Sequence, residues 1–510
     1  MTGQDWADQV VVTAAQMQAI EASLFAQGLP VPALMEKAAG RAAAWIQAHY
    51  PRARYPQVGV LVGPGHNGGD ALVVARELHH GGYHVCLHQP LEQAKPLTEG
   101  HRRYADYLGI PAVGQAEALM DCDLIVDGLL GVGLDRPVEN PLAAVIDAVN
   151  ASGRPAVSLD VPSGLHSNTG QVLGSALRAR HTLCLGLWKV GLLQDAALDW
   201  VGEPVLLPLN IPEVTLAQVL GNAPMRCLTR EQMLAALPLP RRPAGHKYQM
   251  GHLLLVAGSR QYGGAALLAA LGARASGVGM LSVAVPAGLA GLVLAQVPEA
   301  LVISCPETPE GAIAHLPPDL DFGRYDALAV GPGLTVAAGP ILASLWATSV
   351  PLVVDADALN SIAPWAQSPR AQVFLTPHPG EFSRLFPDLD LTDRFQATRQ
   401  AAGRSQATVL LKGARLVIAG ADGSLAVNPT STPGLARGGS GDVLTGLLGG
   451  LLAQGHRQGR LLIPLAQAAA WWHAQAGRWV AHHRTELGVD PLHLSQSLLP
   501  TLKALSEGEC

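Results

Sequence analysis

The sequence is poor in charge, in aromatic rings and in cysteine. Charged residues make up 15% and aromatic residues 5% of its 510 positions. A disordered chain needs much charge and little apolar content to resist collapse. Here 49% of residues are hydrophobic, which excludes that class. No long basic run occurs and the net charge is −6, so no nucleic acid and no membrane surface is expected as a main partner. The six cysteines, Cys86, Cys122, Cys184, Cys227, Cys305 and Cys510, form no CxxC pair. That spacing gives neither a zinc knuckle nor a dithiol redox motif. They are too scattered for a disulfide framework, and a reducing cytoplasm is the expected setting. The most apolar stretches, such as Leu444 to Ala453, fall far short of the roughly 20 residues of a membrane-spanning helix. The opening MTGQDWADQV is polar and acidic, unlike a signal peptide.

What is present is strand and helix in alternation. A chain of this length holds two or three domains. VGVLVG (Val58 to Gly63) is a short apolar run ending in glycine, and ALVVARELHHGG (Ala71 to Gly82) has helical spacing. HVCLH, DLIVDGLL, AVSLDV and HTLCLGL read as further buried strands. The pattern weakens after Leu207, where PLNIPEVTLAQVLGNAPMR contains several helix breakers. The boundary is placed at residues 215 to 225, giving domains 1–220 and 221–510. A new series starts at HLLLVAGS (His252 to Ser259). Strands alternating with helices predict α/β domains with parallel sheets covered on both faces. In such sheets ligands bind at the carboxyl ends of the strands.

In the first half, three polar, glycine-rich segments sit just after strands: GPGHNGGDA (Gly63 to Ala71), DGLLGVGLDRP (Asp127 to Pro137) and SLDVPSGLHSNTG (Ser158 to Gly170). Glycine lets backbone approach a phosphate, and a helix N-terminus favours anions. The first loop is neither a clean GxGxxG nor a P-loop, so a tight turn and a nucleotide site both fit it. Asn67, Asp127 and Ser163 are hard oxygen donors suited to an alkali or alkaline-earth ion rather than zinc. Each alone fits a helix or turn cap equally well.

In the second half, RGGSGDVLTG (Arg437 to Gly446) joins a glycine turn to a helix start. Backbone amides at Gly439 to Asp442 could cradle a phosphoryl group while Asp442 takes a proton from an attacking hydroxyl. The alternative is that Asp442 merely caps the helix. GPGL, DADALN, TPHPGEF and LLKGARL each follow an apolar strand. His378 and Glu381 would lie one turn apart if PGEF opens a helix, and HxxE without a second histidine motif is no zinc site. The pairs His79 with His80 and His482 with His483 are expected on the solvated surface.

The first-half segments, with KVGL (Lys189 to Leu192), resemble the NAD(P)H-hydrate epimerase domain, whose pattern runs GxGNNGGDG, DxxxGTGL, DxPSGLxxDTG and Lys-x-Gly-Leu. QMQAIEASLFAQGLPVPALMEKAAG resembles that family's opening helix and loop. The departures are Lys37 and His66 for asparagine, Ala71 for glycine, Val132 for threonine and Asn168 for aspartate. The resemblance implies a Rossmann-like three-layer fold. It implies potassium held by Asn67, Asp127 and Ser163. It implies a hydrated nicotinamide nucleotide held by Asn67, Gly68, Gly69, Asp70, by Gly131, Val132, Gly133, Leu134, Asp135, Arg136, Pro137, and by Asp160. Asp160 and Lys189 are the candidates for proton handling.

The second-half segments, with HKYQMGHLLLVAGS and GGAALLAALGA, resemble the ADP-dependent NAD(P)H-hydrate dehydratase domain, which has the ribokinase-like fold. Ser440 stands for the usual threonine of GGTGD, and Leu416 for the threonine of KGxxT. The resemblance implies that Ala265, Gly333, His378 and Asp442 contact the hydrated cofactor, with Asp442 catalytic. Lys412, Gly413, Ala414, Arg415, Leu416 and Gly441 would contact the adenine nucleotide. ADP as co-substrate, Mg²⁺ in this domain and a homo-oligomer, a tetramer, are implied as well. Together the resemblances span nearly the whole chain in the order of a bifunctional fusion. Two rival readings stand beside them. A small-molecule kinase would leave a stable phosphorylated product, and a nucleotide-binding scaffold would bind without turnover.

Overall fold

The computed structural model describes residues 6–508 except 222, 337–338, 347 and 367–371. Cys510 and Met1 to Asp5 of the polar opening stretch lie outside the described residues. The chain divides into two compact units, Met1–Arg226 and Cys227–Cys510.

The first unit is built on a parallel sheet of six strands: β1 (Gln57–Val62), β2 (His84–His88), β3 (Leu124–Gly128), β4 (Ala156–Leu159), β5 (His181–Leu185) and β6 (Glu203–Leu207). Their order is β2-β1-β3-β4-β5-β6, parallel throughout. Every residue of β3 and β4 is buried, as a sheet covered on both faces requires. The helices are α1 (Ala14–Ala26), α2 (Val31–His49), α3 (His66–His80), α4 (Pro96–Tyr107) and α5 (Leu142–Ser152). A capping box between Thr13 and Gln16 opens α1. The buried stripe of α2, Met35, Ala38, Ala39, Ala42, Ala43 and Ile46, repeats every three to four residues and packs into the core.

From β1 the chain runs to β2 on one side, then returns to place β3 on the other. The loops after β1 and β3 therefore part at a switch point, which is where an open α/β sheet forms its crevice. Two glycines there are required by contact rather than by turn type. A Cβ at Gly63 would lie 1.7 Å from Leu129 O, and one at Gly68 would lie 1.9 Å from Gly63 O. The short strand Val10–Val12 pairs in parallel with Trp188–Lys189 and fixes the stretch that carries Lys189.

The second unit repeats the logic with different connections. Its strands are β7 (His252–Val256), β8 (Met280–Pro286), β9 (Leu301–Cys305), β10 (Ala327–Val330), β11 (Leu352–Val354), β12 (Val373–Leu375), β13 (Thr408–Leu411), β14 (Leu416–Ala419) and β15 (Leu425–Asn428). They lie in the order β9-β8-β7-β10-β11-β12-β13-β14-β15. Pairing is parallel as far as β13, and β14 and β15 return antiparallel. The switch point falls between β7 and β10. Its main helices are α6 (Gly263–Ala275), α7 (Pro379–Leu385), α8 (Ser440–Arg457), α9 (Leu462–Arg484) and α10 (Pro491–Glu507). Helices α6 and α8 touch backbone to backbone: a Cβ at Gly446 would stand 1.7 Å from Ala269 O, and one at Gly272 would stand 2.1 Å from Val443 O. Val443, Leu447, Leu448, Leu451 and Leu452 of α8 are at most 1% exposed, each burial contributing about 1.5–3 kcal/mol. That packing fixes the first turn of α8, where Asp442 sits. His80, His482 and His483 are exposed, as expected, and His79 is half-buried.

Candidate active sites

A cavity of 970 Å³ opens at the switch point of the first unit. It gathers His66, Asn67 and Asp70 from the start of α3, Gly131 to Pro137 from the loop after β3, and Asp160 and Lys189. Gly68 and Gly69 are buried, and a Cβ added at Gly69 would lie 2.7 Å from Met35 Cε. Lys189 is 1% exposed, and its ammonium pairs with Asp160 and donates to Leu185 O. Burial opposes the ammonium, but Asp160, with Cys184 and Glu21, holds the Lys189 pKa above the ordinary lysine value. Asp160 is held in the left-handed region at φ 65°, an uncommon conformation for a residue with a side chain.

Glu21, on α1, lines the same cavity and was missed from the sequence. Its carboxyl pKa is raised by burial and by Asp160. Asp70 is raised well above the carboxylate range by burial, then by Asp160 and Glu21. Three carboxyls thus face one lysine in this cavity. The departure at His66 stands on the cavity wall, its pKa lowered by burial and by Lys95. Lys37 does not line the cavity itself, but its ammonium donates at 2.6 Å to the carbonyl of Leu209, which does.

Asn67, Asp127 and Ser163 converge on one turn. Ser163 Oγ donates to Asp127 Oδ1 at 2.6 Å and accepts from Leu130 N at 2.8 Å. Asn67 Nδ2 donates to Leu130 O at 2.8 Å. Ser158 Oγ and Ser163 N also donate to Asp127 Oδ2. Burial raises the Asp127 pKa against these hydrogen bonds. Asn67 Oδ1 is buried without a hydrogen-bond partner. An orphaned oxygen of this kind carries a desolvation cost that a cation would relieve. The oxygen donors fit a hard monovalent ion.

In the second unit the glycine turn ends at Gly439, and α8 begins at Ser440. The helix has no side-chain cap, so Asp442 in its first turn is not a cap. Burial, with Asp355 and Asp357 nearby, pushes the Asp442 pKa up to about 7. Beside it Lys412 Nζ donates to Asp355 Oδ1 at 2.7 Å and stands 4.0 Å from Glu381 Oε2. Thr445 Oγ1 donates to Asp355 Oδ2 at 2.6 Å, which ties α8 to the end of β11. Burial works against the Asp355 carboxylate, but Lys412 and Thr445 hold its pKa below the ordinary value. A methyl group added at Gly441 would sit 3.5 Å from Lys412 Nζ, so the glycine turn borders this ion pair. His473, buried and neutral with a pKa lowered by burial to about 4, bonds Ser440 O through Nε2 at 2.9 Å.

The remaining residues named from the sequence fall around this centre. His378 is the N-cap of α7: its Nδ1 accepts from Gly380 N at 3.0 Å, while Glu381 Oε2 accepts from His378 N at 2.8 Å. Its Nε2 is left toward Glu381, at 3.5 Å. Ala265 and Gly333 meet at the β7/β10 switch point, where a Cβ on Gly333 would lie 3.1 Å from Ala265 Cβ. Lys412 points its ammonium at Asp355, whereas Arg415 is buried and its carbonyl accepts from Arg394 at 3.0 Å. Asp355 and Thr445 stand inside quoted motifs, yet their roles were not read from them. Lying at a strand end was the signal available for Asp355.

Residues 253–500 match the family described as NAD(P)H-hydrate dehydratase, and residues 31–191 match the family described as YjeF-related protein N-terminus. The chain is 55% identical to the bifunctional NAD(P)H-hydrate repair enzyme Nnr of Thermosynechococcus vestitus, over 97% of both chains. It is 51% identical to the protein of that name from Synechocystis, covering 97% of this chain and 95% of that one. The solved ADP/ATP-dependent NAD(P)H-hydrate dehydratase of Bacillus subtilis is 31% identical, covers 56% of this chain and 99% of its own, and aligns with a TM-score of 0.49. With relatives matched end to end at this identity, the chain belongs to the bifunctional NAD(P)H-hydrate repair enzymes, an epimerase unit followed by a dehydratase unit.

Proposed function

We propose that this chain restores hydrated nicotinamide cofactors: the first unit interconverts the R and S forms of NAD(P)H hydrate, and the second dehydrates the S form at the expense of ADP, giving AMP and phosphate. The observation that carries the second half is Asp442, uncapped, half-buried and with a pKa of about 7. A general base works best when its pKa lies near the operating pH. Dehydration needs a better leaving group than hydroxide, whose conjugate acid has a pKa of about 15.7. Phosphate leaves with a pKa of about 6. At full charge development a gap of about 10 units is worth about 13 kcal/mol. Asp442 takes the proton of the ring hydroxyl as its oxygen attacks the β-phosphorus of ADP, and AMP leaves. The ring nitrogen's lone pair then expels phosphate, and loss of a ring proton restores NAD(P)H. Amides of Gly439 to Asp442 support the moving phosphoryl group. Lys412 to Leu416 and Gly441 border the nucleotide, with the Lys412 ammonium turned to the phosphate side. Ala265, Gly333 and His378 border the hydrate. Mg²⁺ carried by the nucleotide would supply charge neutralisation, and Asp355 and Glu381 are the carboxylates near Lys412 that would hold it.

In the first unit, inverting a carbon that bears both a hydroxyl and the ring nitrogen requires one bond to break and re-form on the other face. Either route needs a base for the hydroxyl proton and an acid for the departing atom. Asp160 and Lys189 handle that proton, and Asp70 and Glu21 are carboxyls held toward their neutral form. Asn67 to Asp70, Gly131 to Pro137 and Asp160 hold the substrate. Asn67, Asp127 and Ser163 would hold potassium, a reading supported by the orphaned Asn67 Oδ1. The working form is a homo-oligomer, a tetramer, in the cytoplasm. Among the described residues no helix is long and apolar enough to cross a membrane.

The test is recovery of reduced-nicotinamide absorbance from a mixture of both NADH hydrate epimers, with ADP, with ATP and with neither nucleotide. Full recovery with ADP, faster than spontaneous epimerisation, is expected. Recovery that stops at one epimer's share removes the first-unit assignment. No recovery with either nucleotide removes the second, and a stable phosphorylated product would mark a kinase.

A further inference from the structure

Cys86 lies in β2 and Cys122 just before β3, 36 residues apart, and their sulphurs are 3.6 Å from each other. Both belong to the small core cluster that includes Leu61, Leu119 and Ile125. Cys122 is 4% exposed, whereas Cys86 is half-buried, so one thiol of the pair is reachable from solvent. The other described cysteines, Cys184, Cys227 and Cys305, are buried. The chain between Cys86 and Cys122 carries Leu91 and Lys95 of the epimerase cavity wall, and then α4. This segment also holds the glycine loop in place: Lys95 N donates to Pro64 O at 2.9 Å, and Thr98 Oγ1 donates to Gly65 O at 2.8 Å.

We propose that Cys86 and Cys122 form an oxidisable dithiol, which a peroxide converts reversibly to an intramolecular disulfide that tethers the wall of the epimerase cavity. The sulphurs must close from 3.6 Å to the about 2.05 Å of a disulfide, across Gly59 of β1, which has no side chain to stand between them. The two thiols are not equivalent. Either sulphur can donate in this contact, which lowers the Cys86 pKa. The same contact, then burial and the nearby Asp123 and Asp121, raises that of Cys122. Cys86, the member of the pair that is only half-buried, is the attacking thiolate. Its sulphur attacks one oxygen of hydrogen peroxide, the O–O bond breaks, and hydroxide leaves and takes up a proton as water. Cys122 then attacks the sulphur of the Cys86 sulfenic acid, the S–O bond breaks, and a second water leaves. Two thiols lose two electrons and one peroxide becomes two waters.

The effect on epimerisation rests on the assignment of the first unit made above, but the chemistry of the pair does not. The full chain is treated with hydrogen peroxide and mapped by non-reducing proteolysis and mass spectrometry. The expected product is a Cys86–Cys122 cross-linked peptide, lost on dithiothreitol treatment. In the same preparation the epimerase KM shifts several-fold and the dehydratase rate does not. The variant C122S should accumulate a sulfenic acid at Cys86 that dimedone traps, and C86S should leave Cys122 unmodified. Irreversible oxidation of Cys86 without a cross-link, a disulfide to another cysteine or between chains, or a cross-linked chain with unchanged epimerase kinetics would overturn the proposal. An untreated chain without epimerase activity would instead remove the first-unit assignment, and the peptide map would still decide the dithiol.

Discussion

Each unit sets a lysine against an aspartate that follows a parallel strand, yet the two pairs are set differently. Lys189 is 1% exposed and shares its cavity with Asp160, Asp70 and Glu21. Lys412 has a side chain 21% exposed, and its partner Asp355 is satisfied by the lysine and by Thr445. That leaves Asp442 as a separate carboxyl poised near pH 7. Crowded carboxyls around one buried ammonium can both give and take a proton, which a reversible inversion demands. A single isolated base suits a one-way phosphoryl transfer. The lesson is that the lysine–aspartate pair sets the local charge, and the additional carboxyls set the chemistry.

The largest expected break in this comparison is Asp442→Asn. Loss of a general base should lower the dehydratase kcat by about 10²–10⁴-fold while epimerisation continues. In the unmutated chain the dehydratase rate should rise with pH through about 7, as Asp442 ionises. Stability should run the other way. A carboxyl whose folded pKa is raised from 3.8 to about 7 keeps its proton in the folded chain while the unfolded chain releases it, so stability falls as pH rises across that window and is flat above it. Asp442→Asn should flatten that slope in urea titrations and raise the neutral-pH midpoint. A pH–rate profile without an inflection near 7 would count against the base.

The next contrast is between the lysines. Lys189→Met leaves Asp160 unpaired beside two further carboxyls, and removing one partner of a buried pair costs about 3–5 kcal/mol. Lys412→Met should cost less, because that pair is partly open to solvent. Urea unfolding of both variants checks the order, and equal losses would show that the two pairs are buried alike. A smaller effect is expected for Asn67→Ala. It removes the orphaned Oδ1, so epimerisation should lose its response to added potassium while dehydration is unchanged.

Much of this arrangement was legible because it is local. Glycine-rich segments after apolar runs mark strand ends, and the α/β alternation followed from strands buried on both faces. The three oxygen donors Asn67, Asp127 and Ser163 do meet, at the turn around Leu130. What was not legible is carried by long-range pairing. Glu21 sits on α1, and the strand ahead of that helix pairs with Trp188–Lys189 far along the chain. Asp355 meets Lys412 across 57 residues and Thr445 across 90. No periodicity reports such contacts. Lys412 was expected on the nucleotide from its motif alone, and only the fold shows its ammonium turned to Asp355. The Cys86–Cys122 contact escaped for the same reason, since cysteine spacing along the chain says little about partners brought together across an intervening strand.

The smallest expected effect concerns Lys37, which stands where the epimerase pattern has asparagine. From the sequence this departure reads as a change in the substrate pocket. Its ammonium instead donates to Leu209 O, and the neighbouring Arg41 donates to Pro208 O, so both side chains anchor the segment after β6 to α2. Lys37→Asn should therefore leave the epimerase KM within about twofold and change stability by no more than about 0.5–1.5 kcal/mol, the range of one lost hydrogen bond. His66 differs, because it lines the cavity itself, whereas Lys37 reaches the wall only through the carbonyl of Leu209. His66→Asn, restoring the family residue, should change KM where Lys37→Asn does not. A larger KM effect from Lys37→Asn than from His66→Asn would mean that the part of the wall built by α2 and Leu209 shapes the pocket more than the start of α3 does.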